Sequence, residues 1–130
     1  MPYLQISGYK IKIDKCTDGE TYATANAHAL TEWAVTTTAD NAVATVTKAG
    51  ESGKNHYVTS IHGSFSAALI KLMTLKNGAT VLGNYHVHNQ RDVVFAKPVK
   101  ITSGNAAEIS LVASGTAGTI GAVVMKGYTI

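Results

Sequence analysis

The sequence predicts an all-β domain, an antiparallel sandwich or a barrel. Apolar residues recur with period two rather than 3.6 along most of the chain. Val, Ile, Thr and Tyr fill the patterned runs, and these side chains pack well on a pleated surface. The runs are short and are separated by Gly, Asn and Asp turn signals, the pattern of a sandwich or barrel.

The strands follow in order. Residues 32–38, EWAVTTT, end at a break formed by Asp40-Asn41. Residues 42–49 set Val43, Thr45 and Thr47 against Ala44 and Val46, and the turn GESGKN follows. Residues 56–62, HYVTSIH, resume the strand pattern. After Gly63, SFSAALIKL has room for a helical turn, but Ser64–Ala68 reads better as a crossing loop. Residues 70–75 and 79–87 flank Asn77-Gly78, a hairpin signal in which both residues are expected at positive φ in a type I′ turn. Residues 92–96, DVVFA, precede Lys97-Pro98, where proline suits an edge or a strand start. Residues 107–113 alternate Ile109, Leu111 and Ala113 against Glu108, Ser110 and Val112. The loop SGTAGTIG leads to a last strand over residues 121–129.

Residues 1–30 read differently. YLQISGYKIKI has strand character, but DKCTDGETYATANAHAL is small, polar and unpatterned. The expected organisation is therefore an extended N-terminal arm, residues 1–30, and a β-sandwich domain, residues 31–130. Tyr3, Leu4, Ile6, Tyr9, Ile11 and Ile13 are the apolar anchors by which such an arm would hold a neighbour.

Composition narrows the function classes. The chain has 130 residues, 45% hydrophobic and only 15% charged, with a formal net charge of +3. So low a charge fraction points to a surface partly covered by a partner. The basic residues are scattered, without the stripe and aromatic platforms of a nucleic-acid binder, so no nucleic acid is expected. Cys16 is the only cysteine, which leaves no intrachain disulfide and no cysteine zinc knuckle. No run approaches the roughly 18 apolar residues of a membrane helix, and MPYLQISGYK lacks the form of a signal peptide.

The stretch GNYHVHNQRDVVF carries the one arrangement that suggests chemistry. In a strand His86 and His88 share a face, and Asp92 follows as a possible carboxylate ligand. Jelly-roll metalloenzymes of the cupin kind use such a pair and add a later histidine. Here no histidine follows His88, since His28, His56 and His62 all precede it. Catalytic zinc or iron normally takes three protein ligands and an open position, so no metal and no other cofactor is expected. The alternative is that Tyr85 and Val87 face the core while both histidines lie on the outer face or at a subunit contact. No Gly-x-Ser-x-Gly elbow is present, and GTAGTIG opens no helix that would hold a phosphate. The carboxylates form no evident pair, so no catalytic residue is assigned and the chain is not expected to be an enzyme. Trp33 with the tyrosines is a conceivable sugar platform, although a lone Trp at a strand start is more often an anchor in the core or an interface.

HYVTSIHGSFS, IKLMTLKNGATVLGNYHVHNQRDVVF, KPVKITSGNAAEISL and ASGTAGTIGAVVMKGYTI together resemble small phage and prophage virion proteins. The resemblance covers the chain from about residue 32 to its end. It implies a jelly-roll-like antiparallel β-sandwich that decorates or cements a capsid, in a virion assembled in the host cytoplasm. It also implies a homotrimer whose partners are the major capsid protein or other virion proteins. Ala113, Ser114, Gly115, Ala117 and Gly118 are small enough to allow close approach at a symmetry axis. A receptor- or carbohydrate-binding module of a phage head or tail fibre is the alternative.

Overall fold

The computed structural model describes residues 30–130. The arm anchors Tyr3, Leu4, Ile6, Tyr9, Ile11 and Ile13, together with Cys16, lie outside the described residues. Eight strands follow one another: β1 (Thr31–Asp40), β2 (Ala44–Lys48), β3 (His56–Phe65), β4 (Ile70–Asn77), β5 (Thr80–His88), β6 (Gln90–Lys100), β7 (Ala107–Leu111) and β8 (Ile120–Thr129). Each strand expected between residues 32 and 129 is present, and the described residues contain no helix. Segment 64–68 belongs partly to β3 and otherwise to the loop before β4.

The strand order is β1-β8-β3-β6 followed by β5-β4-β7-β2. A single pairing, His88 with Gln90, joins the two halves at a corner. The fold is thus two four-stranded antiparallel sheets packed face to face. The pairs β2/β7, β3/β6 and β4/β5 nest around the tight β4–β5 turn, with β1 beside β8 outermost. This is the jelly-roll arrangement of one long hairpin wrapped into two sheets.

Alternation in each strand puts one face in the core. Val58, Ile61, Phe65, Val123 and Met125 come from the first sheet. Met73, Leu75, Val87, Ile109 and Leu111 come from the second. Each such side chain returns about 1.5–3 kcal/mol on burial. Gly63 lets the sheets meet, since a Cβ there would stand 2.9 Å from Met73 Sδ and 3.2 Å from Val87 Cγ2.

Two local expectations need refinement. Asn77 pairs with Thr80, so the central turn residues are Gly78 and Ala79, not Asn77 and Gly78. Gly78 has φ of 60° and neither Asn77 nor Ala79 is positive, the φ signature of a type II′ rather than a type I′ turn. The reason lies in the Asn77 side chain. Its Oδ1 accepts from the Thr102 backbone N–H (3.3 Å) and Asn105 Nδ2 (3.0 Å), and its Nδ2 donates to Thr102 Oγ1 (2.9 Å). These bonds hold Asn77 in the strand. Pro98 does lie on the outermost strand of its sheet, β6. It falls in an irregular stretch, where Val58 and Ser60 of β3 pair with Val99 and Val94.

Candidate functional site

The histidine stretch spans the corner between the sheets. In β5 Val87 is buried and Tyr85 half-buried, while His86 and His88 are exposed on the outer face. Asn89, with φ of 63°, then turns the chain into the other sheet. Asparagine tolerates this left-handed conformation better than most residues. Beyond it, Asp92 pairs with His62 of β3, and its Oδ1 lies 2.5 Å from His62 Nδ1. The structure therefore separates Asp92 from His86 and His88, contrary to the possible ligand set read from their spacing. Among the described residues no three His, Cys, Asp or Glu side chains converge. Arg91 Nη1 donates to the His86 carbonyl at 3.2 Å, and its guanidinium lies 5.9 Å from the centre of the Tyr85 ring.

His56, which the sequence did not single out, lies at the centre of a buried polar cluster. It is 1% exposed. Its Nε2 lies 2.7 Å from the Ala49 carbonyl, and only a protonated nitrogen can donate there. In the neutral ring Nδ1 then accepts from the Thr129 hydroxyl, 2.6 Å away. Thr129 Oγ1 in turn accepts from Trp33 Nε1 at 2.9 Å. The Trp33 and His56 rings meet edge to face at 5.8 Å. β1, β3, β8 and the segment after β2 are thereby tied together, and every polar atom in the chain of bonds is satisfied. Trp33 packs against the core, as an anchor rather than a free platform.

The small-residue loop after β7 is only partly available to a partner. Ser114 is 5% exposed and turns inward, its one hydroxyl proton shared between the carbonyl oxygens of Thr116 and Thr119, both 3.0 Å away, while its oxygen accepts from the Thr116 N–H. Ala113 is half-buried, and Gly115, Ala117 and Gly118 are exposed. The Gly118 N–H donates to Asp40 Oδ1 at 2.8 Å, which anchors the loop to the end of β1.

Among the described residues two surface clefts stand out. One, of about 470 Å³, is mostly apolar and is lined by Ala68, Leu69, Ile70, His88 and Asn89. The other, of about 550 Å³, is lined by Glu32, Trp33, Ala34, Thr59, Lys126, Gly127 and Tyr128. Tyr57 stacks on Tyr128 beside it, with ring centroids 5.1 Å apart.

No family model and no curated protein matches the chain.

Proposed function

We propose that the chain is a structural protein of a bacteriophage virion that decorates or cements the capsid through contacts between subunits. The observation that carries the reading is the character of the outer faces. Large apolar side chains stand in solvent on them, Val94 of β6 at 78% exposure above all. Val43, Ile70, Val81 and Val112 are also exposed. Exposed apolar side chains suit a subunit whose neighbours cover them. A jelly roll is compatible with this role but hosts many others, so the fold alone does not decide it. In this reading residues 1–30 are the attachment arm, a role that rests on the sequence.

A second reading has its own support. The cleft at Glu32, Trp33, Lys126 and Tyr128 combines aromatic edges, a carboxylate and an ammonium, groups that suit a sugar. In that case the chain is a receptor- or carbohydrate-binding module of a head or tail fibre. Binding assays separate the two. A capsid protein binds particles stripped of it and no glycan on an array, whereas a fibre module binds selected glycans and loses them on Tyr128→Ala.

A further inference from the structure

The outer face of the second sheet carries successive rows of different chemistry. Continued one residue beyond the ends of β2 and β7, the register sets Val43 and Val112 in one row with Leu72 of β4 and His86 of β5. The flanking pairs Ala44↔Leu111, Met73↔Leu111 and Leu72↔His86 fix that row, and the Val112 N–H donates to the Leu72 carbonyl. Val43 is 57% and Val112 46% exposed. The next row is neutral and polar, with Ser110 beside Thr74. The row after it pairs Lys76 with Glu108, Nζ to Oε2 at 4.0 Å, so the face carries no net charge there.

We infer that this face is a twofold contact between two copies of the chain. A twofold axis running along the strands between β4 and β7 sets each strand against the other's counterpart. Leu72 then meets the second copy's Val112, Thr74 meets Ser110, and Lys76 meets Glu108, each pair occurring twice. An isologous contact requires this self-complementarity. The charge complementarity of Lys76 and Glu108, met twice across the axis, is what favours a second copy as the occupant. Sheets also stack in this aligned manner, about 10 Å apart. Four strands about 4.8 Å apart and about 24 Å long give roughly 450 Å² of flat area per copy. Two copies come close to the ~1,000 Å² of a specific interface once side-chain relief is counted, so association depends on concentration. The inference does not depend on the virion reading, since a fibre module would use the same contact.

Sedimentation of the full chain over micromolar concentrations tests it, with Lys76→Glu and Glu108→Lys as separate variants. The wild type is expected to pass from monomer to dimer. Each single variant sets like charges against each other across the axis and should weaken the dimer roughly tenfold or more. A mixture of the two variants in equal amounts restores opposite charges only between copies, and should recover the dimer. Far-ultraviolet circular dichroism checks that each variant keeps its β structure. A wild type that stays monomeric overturns the inference, as does a mixture that recovers nothing. A trimer unchanged by either substitution overturns it too, by locating association elsewhere, such as the loop at Gly115–Gly118.

Discussion

His88 and Asp92 are close in sequence yet belong to different sheets, because Asn89 turns the chain at positive φ between them. The carboxylate serves His62 instead. His86 and His88 are therefore expected to hold no stoichiometric metal. Elemental analysis of protein purified without added metal should find zinc, iron and manganese well below one equivalent. His86→Ala and His88→Ala should shift stability by about 0.5 kcal/mol or less, as exposed positions do. One equivalent of metal that is lost on His86→Ala would contradict this.

Thr129 is the hinge of the buried polar cluster, because one hydroxyl serves both Trp33 and His56. Thr129→Val keeps the shape and removes the hydroxyl, leaving the indole N–H and the His56 Nδ1 without partners. Each group left unpaired costs about 1–3 kcal/mol. Thr129→Ser keeps the hydroxyl and should cost clearly less. Thermal or urea unfolding of the two variants checks the ranking.

The strands were legible in the sequence because period-two alternation is local information. Ile109 and Leu111 pointed inward as their spacing required, and so did Val87 between its two histidines. The corner at Asn89 was not legible. His86, His88 and Asp92 fall on the same parity, so a continuous strand would carry them all on one side, and HNQRD contains no Gly or Pro to announce a turn. The His56 cluster was hidden for another reason. Its partners Thr129 and Trp33 are brought together by sheet topology, with 73 positions between His56 and Thr129 and 96 between Trp33 and Thr129. The Asn77 turn misled because a distant loop, at Thr102 and Asn105, competes for the side chain.

Two glycines should separate sharply on substitution. A Cβ at Gly63 presses on the end of the Met73 side chain, which can move. Gly63→Ala should cost about 1–3 kcal/mol, the usual penalty for overpacking. A Cβ at Gly127 runs into the Tyr57 carbonyl oxygen and the Trp33 ring. The carbonyl belongs to the paired backbone of β3 and cannot yield, so Gly127→Ala should be the more damaging of the two. Urea midpoints measured side by side decide the order.

Asn77→Ala removes three hydrogen bonds between the β4–β5 turn and the loop before β7. The site is exposed and water replaces part of what is lost, so the expected cost is about 1 kcal/mol. Amide exchange should quicken at Thr102 while the core strands stay protected.

The proposal of a capsid role meets its most direct test in copy number. On that proposal, quantitative mass spectrometry of purified phage particles counts the chain against the major capsid protein. A decorating or cementing subunit should appear in a fixed ratio to the capsid lattice. A handful of copies per particle would contradict the account in favour of a tail or fibre position, and absence from the particles would contradict a virion role altogether.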